Sequence, residues 1–191
     1  MTTDVIDQLV GIQPGDPLDS LRDQRPNARA NAQASFDALL HSDELSHATQ
    51  RERLAVAHWT VALSKSPTAS FYSDLLAAED AALLSALEAA LPGALTDGPY
   101  GDYPAGPLSA ENVDGLHWQP SAELAAAAGP RLTAALAHAH LLVYRPRDAS
   151  AEALQELVDA GWSTTGIVTL SQLVAFLSFH LRVVAGLTVL K

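Results

Sequence analysis

The sequence contains no cysteine, which excludes disulfides, thiolate nucleophiles, cysteine metal ligands and thiol redox chemistry. Basic residues are scarce: 11 Lys and Arg stand against 22 Asp and Glu, for a formal net charge of −11. That balance argues against a nucleic-acid footprint and against electrostatic attachment to anionic lipid. The partners it leaves are small molecules or further copies of the chain. Aromatic residues make up only 6% of the sequence, so a cluster of them marks a segment held in order. Sustained strand alternation is missing throughout. The first residues, MTTDVIDQLVGIQPGDP, lack the basic region and apolar run of a signal peptide, so the expected location is the cytoplasm.

What is present is alanine and leucine in helical spacing, with 48% apolar content over 191 residues, enough for the core of one all-α domain. The longest apolar stretch runs from Trp162 to Leu190. Ile167, Leu170, Val174, Leu177, Leu181 and Val184 form one stripe, with Leu173, Phe176, Val183 and Leu187 beside it. The pattern predicts a long central helix around which the others wrap. Ser171, Ala175, Ser178 and Gly186 form a line of small residues where another backbone is expected to approach. Gln172, His180 and Arg182 would be costly at the centre of a bilayer, so no membrane is expected despite the helix's length. Ser163 is its predicted N-cap, and Gly161 stops the helix before it.

Residues 1–26 read as an arm: a short helix from Asp4 to Val10, then turns at Pro14, Gly15, Pro17 and Pro26, laid over the core or over a neighbouring subunit. Residues 27–191 form a single helical domain. Its first helix, 27–40, places Ala28, Ala32, Phe36, Leu39 and Leu40 on one side. Thr49 and Glu52 make a capping box that opens a helix from Gln50 to Leu63. Ser66 before Pro67 is an N-cap signal for a further helix to about Leu91. A Gly/Pro-rich loop follows at 92–120, with Tyr100, Tyr103, His117 and Trp118 serving as an aromatic clamp or as a pocket lid. Helices near 121–128, 130–144 and 150–160 precede the last one.

The segments ERLAVAHWTVALSKSPTASFYSDLL (52–76) and AGWSTTGIVTLSQLVAFLSFHLRVVAGL (160–187) together resemble the carboxymuconolactone decarboxylase and alkylhydroperoxidase-like superfamily. The likeness covers roughly residues 30 to 190. It implies a multi-helical bundle, an assembly as a trimer or a hexamer of trimers, and a pocket near a subunit interface; the apolar surface of the last helix and the arm leads to the expectation of a homo-oligomer, a trimer, dimer or hexamer. In the alkylhydroperoxidase branch a glutamate precedes two cysteines and a histidine. Counted from Glu52, those positions fall on Ser64, Pro67 and Phe71, so the resemblance implies a cysteine-less member without thiol redox chemistry.

The candidate catalytic residues are Glu52, His58 and Ser64, and the candidate substrate-binding residues are Tyr72 and Arg182, around a small organic ligand for which an anion is one option. Glu52 reads as a general acid or base, or as no more than the third member of the capping box. His58, His138, His140 and His180 read as core histidines or as a proton-transfer cluster. None of their spacings is the i, i+4 of a helical zinc site, so neither metal nor cofactor is expected. Ser64, His58 and Glu52 are the residue types of a hydrolase triad, but spacings of six and twelve do not stack on one helical face. Arg182, deep in an apolar helix, must find a carboxylate, carbonyls or an anionic substrate, and a structural ion pair is the default. The alternative to a ligand-binding protein is a non-catalytic oligomer whose pocket is filled.

Overall fold

The computed structural model describes residues 4–191, so the first three residues of the expected arm lie outside it. Among the described residues nine α-helices follow one another: α1 (Val5–Val10), α2 (Pro17–Asp23), α3 (Pro26–Leu40), α4 (Gln50–Leu63), α5 (Ala69–Ala94), α6 (Ala122–Ala128), α7 (Pro130–Tyr144), α8 (Ala151–Asp159) and α9 (Thr164–Leu190). Short 3-10 turns sit at Pro107–Glu111 and Pro146–Asp148. Among the described residues there is no strand, only an isolated bridge between Gly101 and Val113.

The centre of the protein is α4 rather than α9. Every residue from Glu52 to Leu63 is buried, and the helix packs against α5, α7 and α9. Its role is masked in sequence because several of its buried side chains are polar and satisfied locally. Thr60 donates to the Val56 carbonyl, and the Arg53 guanidinium donates to the carbonyls of Ala48, Leu39 and Glu44. The last helix covers α4 with one face only, leaving Val168 and Phe179 about half exposed. Along its line of small residues Ser171 meets His138 of α7, but Ala175 and Gly186 are exposed, and nothing lies within 4 Å of where a Gly186 Cβ would be. By length and by a mean hydropathy of 2.0 this helix would suffice to cross a bilayer, but its buried face, with His180 fully enclosed, packs on the other helices.

Caps set most boundaries. Asp4 caps α1, Thr49 and Glu52 form the expected box on α4, and Ser121, Ser150 and Ser163 cap α6, α8 and α9. Gly161, with φ of +93°, supplies the left-handed turn that ends α8. The helix expected at 66–91 differs in two ways. It opens at Ala69, after a turn in which the Ser66 hydroxyl accepts from the Thr68 N–H at 3.3 Å. It also breaks at Asp80, whose backbone is non-helical. The Asp80 carboxylate accepts from the Leu83 N–H and from Arg51 Nε at 2.7 Å, so it recaps the second half and ties the break to α4.

The N-terminal arm lies on its own core. Val5, Ile6, Val10, Ile12 and Leu18 are buried, and Arg22 and Arg29 knit Asp4, Asp7, Asp19 and Asp23 together. Ala28, expected on the inner face of α3, is exposed. The long loop begins at Leu95, past Pro92, and its aromatic residues do clamp it. Trp118 packs on Trp59 and stacks on His140, each at 5.1 Å between ring centroids. The Tyr100 ring lies where a Gly115 Cβ would be, which requires glycine there.

Candidate functional site

At the N-terminus of α4 the Glu52 carboxylate is fully engaged. One oxygen accepts from the Thr49 N–H and hydroxyl, completing the capping box, and the other accepts from Arg131 Nε at 2.7 Å. Arg131 also donates to the carbonyls of Gly161 and His47 and stacks 3.9 Å over the Trp162 ring, whose indole N–H returns a bond to the Arg131 carbonyl. One guanidinium thus joins the starts of α4 and α7, the 41–49 link and the turn between α8 and α9. A carboxylate with both oxygens so held is built to fasten helices.

The three candidate catalytic residues are not brought together. Six residues along α4 separate Glu52 from His58 and six more separate His58 from Ser64, about 9 Å each at the helical rise. His58 is 4% exposed with neither ring nitrogen hydrogen-bonded, and burial lowers its pKa. Ser64 donates to the Thr60 carbonyl. Tyr72 is fully buried, its phenol hydrogen-bonded at 3.2 Å to His180 Nδ1 and pushed up by burial. His180, stacked on Phe176, is held down to about 4 by the same desolvation. Trp59 and Tyr72 are fully buried, Trp59 against Leu136 of α7 and Trp118 of the loop, and Tyr72 against His180 of α9.

Two of the candidates do meet. Ser64 and Arg182 line an open cavity of about 380 Å³ at the α4–α5 joint, together with Lys65, Ser66, Ser178 and Leu181. Arg182 makes no structural ion pair: it is exposed and donates to the Ser178 carbonyl of its own helix, with no carboxylate within 4.0 Å among the described residues. Because the helix is uncovered on that side, the guanidinium pays no desolvation penalty and needs no counter-ion. Lys65 has a partner in Asp97 at 2.6 Å.

A second cavity, about 320 Å³, lies between the loop, α7 and α8, and is lined among others by Trp118, His138, Arg145, Asp148, Glu152 and Glu156. The loop is therefore both clamp and wall. His138 Nε2 pairs with Ser171 Oγ at 3.0 Å, while its Nδ1 has no partner. Ser171 sits in mid-helix, where the backbone amides are engaged in helical bonds and cannot form an oxyanion hole, so this pair is not a hydrolytic dyad. Burial lowers the pKa of both His138 and His140. The contacts of these residues run across 33 and 46 positions of sequence, beyond the reach of local spacing. Among the described residues no group of His, Asp and Glu is arranged to hold a metal ion. No family model, no curated protein and no solved structure matches the chain.

Proposed function

We propose that the chain is a cysteine-less relative of the carboxymuconolactone decarboxylase and alkylhydroperoxidase-like proteins that binds a small organic anion at the α4–α5 joint, without thiol redox chemistry. One observation supports the reading above others: an exposed guanidinium, Arg182, without a carboxylate partner, shares a cavity with the hydroxyl-bearing Ser64, Ser66 and Ser178. A carboxylate entering there meets a planar fork of donors flanked by hydroxyls, the usual recognition chemistry for that group. Ser64 and Pro67, at the positions matching the family's cysteines, line the same cavity.

Thermal shift and calorimetric titration with small carboxylates and lactones test this. Carboxylates are expected to raise the melting temperature, by an amount equivalent to about 2.7 kcal/mol at a hundredfold excess over Kd. Arg182→Gln should remove the effect, and Ser64→Ala should weaken it while leaving the unliganded protein as stable as before. Carboxylate binding that survives Arg182→Gln would overturn the assignment.

A second reading, a non-catalytic homo-oligomer, is favoured by the interior filled with Trp59 and Tyr72 and by the half-exposed Val168 and Phe179 on α9. It expects a dimer, trimer or hexamer by light scattering. A solution mass near the 20.1 kDa of one chain at micromolar concentration would sink it.

A further inference from the structure

The side of α9 turned away from the other helices is periodic. Positions 165, 168, 172, 175, 179, 182, 186 and 189 are all exposed and step alternately by three and four, a stripe about 36 Å long at the helical rise. That is the heptad period at which a stripe stays in contact with a second helix crossing at about 20°. Val168, Phe179 and Val189 stand on it, and none of the three is less than half exposed. The helix contains no Asp or Glu, and Arg182 is its only Lys or Arg. In a chain of net charge −11, this is a face on which two copies can meet without carboxylate opposing carboxylate.

The order of side chains along the stripe is complementary to its own reverse. Turned about Leu177, it sets Phe179 against Ala175, Val168 against Gly186, Gln172 against Arg182 and Thr165 against Val189. Two of these layers join a large side chain to a small one, and a third joins a guanidinium to an amide oxygen. In a symmetric antiparallel pair each layer occurs twice. Moved by one heptad in either direction the match is lost: Phe179 then meets Val168 or Arg182, and Gln172 meets Ala175 or Val189. The receiving positions are also open. Ala175 forms one wall of a cavity of about 540 Å³ between α3 and α9, with Ala38, Leu39 and Phe176 among the others. Nothing lies within 4 Å of a Cβ built on Gly186, and Arg182 donates only to the Ser178 carbonyl among the described residues.

We propose that α9 pairs with α9 of a second copy, antiparallel about a two-fold axis at Leu177, with Phe179 of each subunit seated at Ala175 of the other, against the α3–α9 cavity. The second copy rests on the homo-oligomer reading, to which the stripe adds the face, the direction and the register. Arg182 also lines the cavity at the α4–α5 joint, so the pairing brings Gln172 of the partner subunit to the edge of that site.

The test uses the full chain, whose lack of cysteine leaves no background for thiol cross-linking. Light scattering at high micromolar concentration is expected to give twice the 20.1 kDa of one chain, since a self-complementary contact closes at two copies. Ala175→Glu should weaken association by at least about tenfold, because it buries a carboxylate against an apolar ring. Position 175 is exposed in the single chain, so the variant should keep its helical circular dichroism and a cooperative melt. Val168→Cys and Gly186→Cys chains, mixed and treated with a short bis-maleimide, should give a covalent dimer. Either variant alone should give none, because in this register two copies of position 168, or of 186, lie about 27 Å apart along the helix. A single-chain mass would overturn both the proposal and the homo-oligomer reading. A trimer, an assembly of any size untouched by Ala175→Glu, cross-linking of either cysteine variant alone, or none in the mixture would overturn the proposal and leave that reading standing.

Discussion

Arg131→Ala is expected to lower the free energy of unfolding by about 3 kcal/mol, the effect of leaving a buried carboxylate without its partner. Glu52 is 8% exposed and would be left at the start of α4 with only the capping-box bonds to hold it. The same substitution removes the donors to Gly161 and His47 and the guanidinium over Trp162, so four segments loosen at once. Arg131→Lys should recover only part of the loss, because an ammonium cannot reproduce the fork or the stacking. Denaturant titration reads this directly, with the slope expected to stay constant and the midpoint to fall. Glu52→Gln should be milder, since glutamine still completes a capping box, and it should leave ligand binding at the joint, about 18 Å along α4, unaltered. A change within about 0.5 kcal/mol for Arg131→Ala, the usual range of surface substitutions, would show that the clamp is ornamental. Loss of ligand binding in a stable Glu52→Gln variant would instead restore the carboxylate to a chemical role.

Stability should fall steeply as the pH drops from about 6.5 to about 4. His58, His138, His140 and His180 are all buried, and in each the folded-state pKa lies below its ordinary value of 6.5 because the protein interior disfavours the imidazolium. The unfolded chain therefore takes up protons before the folded one does, so stability is fully present above pH 6.5 and drains away as the pH falls toward the folded values. For His180 the fall from 6.5 to about 4 corresponds to about 3 kcal/mol. The carboxylates held low by their partners, among them Asp4, Asp80 and Asp148, add losses only at lower pH, below about 4. Melting temperatures taken at half-unit steps should be flat above pH 7 and decline below 6.5. His180→Gln, which keeps a hydrogen bond to Tyr72 without a titrating ring, should flatten part of the slope. A melting temperature unchanged between pH 7 and 5 would contradict the burial of these rings.

Local chemistry is what the sequence makes legible. The bounds of α4 and α7 and the caps at Thr49, Ser121, Ser150 and Ser163 follow from residues within four positions of one another. The break at Asp80 does not, because LLAAEDAALL is helical by propensity, and of the two donors that hold the Asp80 carboxylate there, the Leu83 N–H and Arg51, the second lies 29 residues away. Centrality is hidden in the sequence for a related reason. Hydropathy favours α9, but the innermost helix is the one covered around its whole circumference, and α4 is so covered even at Glu52 and Arg53, whose partners include groups outside the helix, and at Thr60, which donates to Val56 one turn back. Among the candidate site residues, Ser64 and Arg182 converge as the helix ends allow. Glu52, His58 and Tyr72 were grouped by type and are held apart by the rise of the helix and by packing. Trp118 against His140, and His138 against Ser171, are contacts that only the folded bundle creates.

The burial of α4 by α9 has a consequence for the order of events during synthesis. The face of α4 that α9 covers is translated about a hundred residues before Thr164 begins the covering helix. At about 5–20 residues per second, that leaves the innermost helix uncovered on one side for about 5–20 s on the ribosome. Nascent chains halted between α8 and α9 should therefore be the species that chaperones hold longest.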